Sequence, residues 1–229
     1  MISVYNIILI IINNIRQQKM IQKTPWHSWK SGNLSKGCKL CVKGEKTVLF
    51  ITGLCSKPTF CYYCPIADNR SSKDVIYANE TKIFNVKELC NEIKLCNSKG
   101  IGITGGDPLI KLDRTTEYIR EVKREFGMDF HTHLYCPLEL VSEDALKKLY
   151  ESGLDEIRFH LDIGNNSLWS RLLLARKFHW KIGVEIPVIP GKNYDDLMNF
   201  IKGKVDFLNL NELEASDSEV CKLEENGFE

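Results

Sequence analysis

The chain has 229 residues, of which 43% are hydrophobic and 27% are charged. This length and composition predict a globular protein with a sizeable core and exclude a disordered or fibrous chain. Lys and Arg number 31 and Asp and Glu number 30, which leaves a formal net charge of +1. A charge this small argues against non-specific binding to nucleic acid or to an anionic membrane.

Residues 1–12 are apolar, but they do not read as a targeting or membrane segment. They lack a cationic start and a small-residue cleavage site, and they are too short to span a bilayer. Met20 precedes a more ordinary polar sequence and is an alternative start. Nine cysteines, an odd number without a secretory signal, argue against a disulfide framework and favour metal or redox chemistry. We therefore expect a cytoplasmic protein.

From Lys46 onward, short β-branched runs alternate with amphipathic stretches, which predicts parallel strands joined by helices. The predicted strands are 47–52, 101–104, 129–135, 156–161, 181–186 and 206–210. The predicted helices are 86–98, 114–126, 143–151, 167–178, 195–202 and 216–226, with caps at Asp113, Ser142 and Ser216 or Asp217. We expect an α/β fold, a partial TIM-type (β/α)6 barrel of parallel strands, over residues 46–229. Residues 1–31 would be an N-terminal extension and 32–45 a Cys-x2-Cys segment.

Three predicted strands carry polar side chains at every second position, so that these side chains share one face of each strand. They are His131, His133 and Tyr135, then Glu156, Arg158 and His160, and finally Asn209 and Asn211. An ordinary barrel interior is built of branched apolar residues. The polar stripes therefore predict an interior filled by substrate, and the alternative is that they lie at strand ends in water.

Three cysteines, Cys55, Cys61 and Cys64, lie within ten residues directly after the first predicted strand. Loops at the C-terminal ends of barrel strands are where barrel enzymes hold their active sites. Three thiolates are one fewer than an ordinary iron–sulfur cluster uses, so a cubane bound here would leave one iron open to another ligand. The alternative from spacing alone is that Cys61 and Cys64 form half of a zinc site.

A second element, Gly105-Gly106-Asp107-Pro108, follows the second predicted strand and is expected beside the cysteine loop. Two glycines allow a ligand to approach the backbone closely, and the Asp107 carboxylate can hold an ammonium group. A tight turn is the alternative for this segment on its own.

Together these motifs resemble the radical S-adenosylmethionine (radical SAM) enzymes. In that family a cysteine triad after the first strand binds a [4Fe-4S] cluster, and a Gly-Gly-Glu-Pro stretch binds the amino group of S-adenosylmethionine. The resemblance implies that Cys55, Cys61 and Cys64 are the cluster ligands. It also implies that Gly105, Gly106 and Asp107 hold the amino group, with Asp in place of the commoner Glu.

Further site residues follow from the same resemblance. Tyr63 matches the aromatic position near the adenine, and Arg158, His160 and Glu185 are candidates for the carboxylate and ribose of the cofactor. The cysteine spacing departs from the family, with five and two intervening residues instead of three and two, which makes Cys55 the least secure ligand.

The segments 37–41, 73–80 and 209–214 resemble an archaeal-type subgroup related to pyruvate formate-lyase activating enzymes. The resemblance implies reductive cleavage of S-adenosylmethionine to a 5′-deoxyadenosyl radical that abstracts hydrogen from a small-molecule or protein substrate. A one-electron donor such as a ferredoxin or flavodoxin would supply the electron.

Two further hypotheses use the other cysteines. Cys38-x2-Cys41 and Cys61-x2-Cys64 are separated by 19 residues, which fits a zinc-ribbon binding module. Cys61 and Cys64 could instead serve a thiol oxidoreductase, although no thioredoxin-like context surrounds them. Within a radical enzyme, Cys38 and Cys41 could also hold a second metal, completed by Cys136 or His27.

Overall fold

The computed structural model describes residues 21–57, 61–213, 220–225 and 227. Residues 1–12 and the predicted cap of the last helix at Ser216 or Asp217 lie outside this range. In the part that is described, no helix combines the length and the apolar character needed to cross a bilayer.

The strands and helices alternate along most of the chain. The strands are β1 (Gln22–Lys23), β2 (Trp29–Lys30), β3 (Lys46–Phe50), β4 (Ile76–Ala78), β5 (Thr81–Ile83), β6 (Gly100–Thr104), β7 (His131–Cys136), β8 (Glu156–Phe159), β9 (Lys181–Val188) and β10 (Phe207–Glu212). The helices are α1 (Lys36–Cys41), α2 (Val86–Leu95), α3 (Leu112–Phe126), α4 (Glu143–Glu151), α5 (Asp195–Ile201) and α6 (Val220–Glu225), with 3-10 helices at Pro108–Lys111 and Trp169–Lys177.

Six parallel strands form most of one sheet, whose order is β10-β9-β8-β7-β6-β3-β4-β5. The parallel strands follow one another in chain order, and helices or 3-10 turns make the crossovers between most of them. This confirms the predicted α/β fold with six parallel strands. Within the described residues the sheet has two edges, β10 and β5, so the barrel that they form is partial.

The core lies between one face of this sheet and the helices. Leu49, Ile103, Leu134, Ile157 and Val184, one from each of five neighbouring strands, are fully buried. Helices α2, α3 and α4 cover them with Ile93, Ile119 and Leu146, because apolar residues three or four apart share a helix face. The opposite face of the sheet carries the polar stripes.

Three local predictions need correction. The predicted loop after β3 contains the antiparallel hairpin β4–β5, whose three-residue strands are too short to show a period in sequence. The predicted helix 167–178 is a 3-10 helix, and its buried Trp169, Leu172 and Ala175 are spaced by three residues, as that geometry requires. Asp113 lies in the first turn of α3 and is not its N-cap.

Candidate active site

The cysteine loop and the Gly-Gly-Asp-Pro segment run side by side at the C-terminal ends of β3 and β6. The amide of Gly106 donates to the carbonyl of Thr52 at 2.8 Å, and the amide of Asp107 donates to the carbonyl of Leu54 at 2.7 Å. These bonds continue the pairing of the two strands, and they fix the start of the cysteine loop against the second motif.

The two glycines are required by this contact between protein segments. A Cβ at Gly105, whose φ is 147°, would lie 2.3 Å from the Thr52 carbonyl oxygen, and one at Gly106 would lie 2.1 Å from the oxygen of Leu54. Real Cβ atoms do not approach backbone oxygens so closely, so any side chain would separate the segments. The sequence suggested room for a ligand, whereas the structure gives the glycines a packing role.

Asp107 is fully buried at the base of the cysteine loop. Its Oδ1 accepts from the amide of Leu109 at 2.9 Å, which caps the following 3-10 turn, and its Oδ2 accepts from the hydroxyl of Ser56. Burial raises the pKa of Asp107, although both hydrogen bonds oppose that shift. The carboxyl group is therefore held in one orientation. That it holds an ammonium group stays a prediction.

Cys55, Cys61 and Cys64 are half-buried, and none is joined in a disulfide. The amide of Cys64 donates to the carbonyl of Cys61 at 3.0 Å, which turns the chain between these two cysteines. Burial raises the pKa of Cys55, so its thiolate would need a nearby cation such as a metal ion. The three thiols on one loop fit three anchors of a [4Fe-4S] cluster. Within the described residues, however, no three metal-ligating side chains already converge.

Two residues of the cysteine loop extend its contacts. The Lys57 ammonium donates to Cys61 Sγ at 3.5 Å, and the Lys57 side chain is only 8% exposed. The Tyr63 hydroxyl and His160 Nε2 are 3.1 Å apart, which joins the loop to the end of β8. Burial, followed by the charge of Lys57, lowers the pKa of His160 to about 4, so the ring is neutral. Ser56 and Lys57 carried no sequence motif and were missed.

Arg158 is 3% exposed, and every part of its guanidinium is already engaged. It donates to Glu156 Oε1 at 2.6 Å, to Glu185 Oε2 at 2.7 Å and to the Tyr135 hydroxyl at 2.8 Å. Burial lowers the pKa of Arg158, but Tyr135 and the two carboxylates outweigh burial and raise it. Arg158 and Glu185 thus pair with each other, and binding of a cofactor carboxylate would need an exchange of partners.

Helix α1 covers the opposite end of the same interior. Gly37 packs so closely that a Cβ would lie 2.4 Å from Arg158 Nη2 and 2.8 Å from His133 Nδ1. The ammonium of Lys46 lies 3.3 Å from His131 Nδ1 and contacts His133 more closely still. We call Lys46, His131, His133, Glu156, Arg158, Glu185 and Asn209 the closed-end network.

Burial under α1 corrects the prediction that the polar stripes surround a substrate along their whole length. His131 and His133 are each 2% exposed. Burial and the Lys46 ammonium lower the pKa of His131 to about 3 and also lower that of His133, so both rings are neutral. The lower part of the interior is therefore filled by protein side chains, and the predicted substrate space is restricted to the cysteine-loop end.

The two Cys-x2-Cys pairs lie apart. Cys38 contacts Arg158 and Asn209 on the closed-end network, whereas Cys61 contacts Lys57 on the loop after β3. The described residues therefore do not assemble the predicted zinc ribbon. They also give Cys38 and Cys41 no third metal ligand, from Cys136, His27 or elsewhere. Cys136 lies at the C-terminal end of β7, where burial and then the Asp107 charge raise its pKa.

Comparison with known proteins agrees with this arrangement. The model of the radical SAM superfamily matches residues 49–202. A protein of Methanocaldococcus jannaschii, named as a glycyl-radical enzyme activating enzyme, is 48% identical over 206 residues, which cover 85% of this chain and 54% of that protein. The chain thus spans about half the length of this curated relative.

Two solved structures are similar to this chain to different degrees. Methylornithine synthase superposes with a TM-score of 0.54 at 16% identity, covering 75% of this chain and 54% of that one. A radical S-adenosylmethionine methyltransferase from Kitasatospora setae gives a TM-score of 0.47 at 11% identity, covering 92% and 51% of the two chains. The first similarity confirms the partial barrel fold.

Proposed function

We propose, because this chain belongs to the radical SAM superfamily, that it reductively cleaves S-adenosylmethionine at a [4Fe-4S] cluster and abstracts hydrogen from a substrate with the 5′-deoxyadenosyl radical. The chain is an iron–sulfur radical enzyme by family. The observation that carries the proposal is the direct backbone pairing of the cysteine loop with Gly105-Gly106-Asp107.

In this proposal Cys55, Cys61 and Cys64 hold the cluster. When bound, the cluster supplies one electron and one open coordination position. The Lys57 ammonium, which already contacts Cys61 Sγ, would offset part of the negative charge of the thiolates. Tyr63 is fixed by His160 and offers an aromatic face for the adenine.

Asp107 would bind the cofactor's amino group, because a buried carboxylate forms strong charge-assisted hydrogen bonds. Its orientation is set by Ser56 and by the amide of Leu109. The carboxylate and ribose of the cofactor would be bound by Arg158, His160 and Glu185. Of these three, His160 contacts the cysteine loop directly, whereas Arg158 and Glu185 pair with each other.

The interior residues would protect the radical. A reactive carbon radical must be kept from water and stray hydrogen donors, and orientation and shielding are the share of the work that the protein supplies. Helix α1 and the closed-end network occupy the interior below the cysteine loop. The substrate would therefore meet the radical at the cysteine-loop end.

For the substrate class we propose a glycyl residue of a partner protein, with a ferredoxin or flavodoxin as electron donor. The support is the name of the M. jannaschii relative, which is 48% identical. A small-molecule substrate is the alternative, because this chain spans only 54% of that relative.

The test is anaerobic reconstitution with iron and sulfide, followed by dithionite and S-adenosylmethionine. We expect a brown protein with about four irons per chain that forms 5′-deoxyadenosine, measured by liquid chromatography and mass spectrometry. Cys64→Ala should form none, while Cys96→Ala, at an exposed cysteine following α2, should behave as the parent. A four-iron protein that binds the cofactor and yields no 5′-deoxyadenosine would refute the proposed reaction. A colourless protein containing zinc would favour a binding module.

A further inference from the structure

Helix α1 carries two cysteines that the proposed reaction does not use. Cys38 is half-buried and Cys41, three residues later, is exposed, and neither is joined in a disulfide. Residues three apart in an α-helix have Cα atoms about 5 Å apart, within the separation that a disulfide can span. The helical backbone therefore places the two Cα atoms within the separation that a disulfide can span.

The Cys38 sulfur accepts hydrogen bonds from two groups of the closed-end network. Asn209 Nδ2 lies 3.2 Å from Cys38 Sγ, and Arg158 Nη2 lies 3.5 Å from it. Glu185 fixes both donors, since its Oε2 accepts from Asn209 and from Arg158 at 2.7 Å each. Two fixed N–H donors, one of them cationic, hold the Cys38 sulfur in place as a hydrogen-bond acceptor.

The same surroundings are unsuited to a metal ion. The guanidinium of Arg158 reaches the Cys38 sulfur, and the charge of the Lys46 ammonium interacts with both thiols. A cation placed between the thiols would be repelled by both groups. In the part of the chain that is described, no third ligand is at hand.

We propose that Cys38 and Cys41 form a redox-active dithiol that reacts with low-molecular-weight disulfides. The exposed Cys41 thiolate attacks one sulfur of the disulfide, which gives a mixed disulfide on Cys41 and releases one thiolate that takes up the proton lost by Cys41. The Cys38 thiolate then attacks the Cys41 sulfur, forms the Cys38–Cys41 bond and releases the second small thiolate, which takes up the proton lost by Cys38. Overall, two protein thiols are oxidised by two electrons, and one small disulfide is reduced to two thiols.

The first experiment exposes the anaerobically reconstituted protein to oxidised glutathione near neutral pH, with acid quenching and peptide mass spectrometry. We expect the peptide that contains residues 38–41 to lose two hydrogens and to retain no glutathione. Cys96 is the internal control, because it is exposed and receives an amide donor from Asn79 at 3.5 Å but has no cysteine three residues away. Its mixed disulfide should persist.

Two variants separate the steps. Cys38→Ser should trap glutathione on Cys41, because the second nucleophile is gone, and Cys41→Ser should prevent formation of the internal disulfide. If glutathione stays on Cys41 in the parent as it does on Cys96, the dithiol proposal is wrong. Zinc or iron that is present in the parent but lost from both variants, while the cluster iron is kept, would also overturn it.

A matched pair of amide variants tests the donors. Asn209→Leu removes the bond to Cys38 and should slow closure of the internal disulfide by about fivefold or more. Asn211→Leu is the control, since Asn211 also donates to Glu185, at 3.1 Å, and lies two residues along the same strand. Equal closure rates in the two variants would contradict the role of Asn209. These readouts are masses and not activity, so they are independent of the proposed radical reaction.

Discussion

Asp107 combines a structural contact with a proposed binding role, and two substitutions can separate them. Asp107→Asn keeps an oxygen for the amide of Leu109 but loses the charge. We expect it to fold with near-parent stability and to bind S-adenosylmethionine roughly tenfold or more weakly, since charge-assisted contacts contribute about 1.5–3 kcal/mol.

Asp107→Ala should show the same loss of binding and, in addition, a lower free energy of unfolding by about 1–2 kcal/mol, because the cap is lost. Equilibrium binding to the reconstituted protein and urea unfolding measure the two effects. Parent-like cofactor affinity in Asp107→Asn would mean that Asp107 serves only the turn.

Cys55 is the residue at which the cysteine loop departs from the common family spacing. If it is a cluster ligand, Cys55→Ala should lose as much iron as Cys61→Ala or Cys64→Ala, because each change removes one of only three thiolate anchors. Iron analysis and visible absorbance after reconstitution measure this, with Cys96→Ala as the control. Retention of about four irons in Cys55→Ala would remove it from the ligand set.

At the scale of elements, α1 depends on the absence of a side chain at Gly37. A Cβ there would lie 2.4 Å from Arg158 Nη2 and 2.7 Å from Glu156 Oε1, and both groups are held by several hydrogen bonds. Gly37→Ala should therefore lower the free energy of unfolding by about 1–3 kcal/mol, despite the higher helix propensity of Ala.

Lys39→Ala, at an exposed position of the same helix, is the matched control for Gly37→Ala and should change stability little. Urea unfolding of both variants provides the measurement. A Gly37→Ala protein more stable than the parent would show that α1 does not pack tightly against the closed-end network.

The elements themselves were largely readable from the sequence. The six parallel strands and helices α2 to α5 follow periodic apolar patterns, which can be recognised within a short stretch of sequence. The β4–β5 hairpin was missed because its strands are too short to show a period. Helix α1 was missed because a Cys-x2-Cys segment with two glycines looks like a metal-binding loop.

The candidate site was predicted less completely. The cysteines and Gly105-Gly106-Asp107 form contiguous motifs, so their positions were visible. The environment of Arg158 could not be predicted, because its partners Ser35 and Cys38 lie more than a hundred residues away along the chain. A strand pattern shows which residues share a face, but it does not show which distant helix covers that face.

For the whole molecule, Lys46 links folding to pH. Burial, followed by the Arg158 charge, lowers the pKa of Lys46 from 10.5 to about 7. Between these values the unfolded chain binds more protons than the folded one, so this residue makes stability rise with pH from about 7 upward. We therefore compare the free energy of unfolding of the parent with that of Lys46→Met. The difference, parent minus variant, should increase by up to about 1.4 kcal/mol per pH unit between neutral pH and the pKa of Lys46 in the unfolded chain.

Chemical unfolding at several pH values tests this, and the subtraction removes the titrations that both proteins share. Lys43→Met is the control, because it removes an exposed lysine from the same part of the chain. A difference between the parent and Lys46→Met that is flat with pH would show that the Lys46 ammonium remains charged inside the protein.

Helix α1 closes the end of the barrel that lies opposite the cysteine loop, so in the described part of the chain the interior is open only at the cysteine-loop end. His160, which contacts the cysteine loop, and Arg158, which belongs to the closed-end network, are two residues apart on β8 and its continuation, about 7 Å along the strand. If the proposed glycyl substrate is correct, the partner protein would have to approach the cofactor from the cysteine-loop end, because α1 and the closed-end network fill the other end. Under that proposal, a glycine at the tip of a protruding loop would reach the site more easily than one on a flat surface.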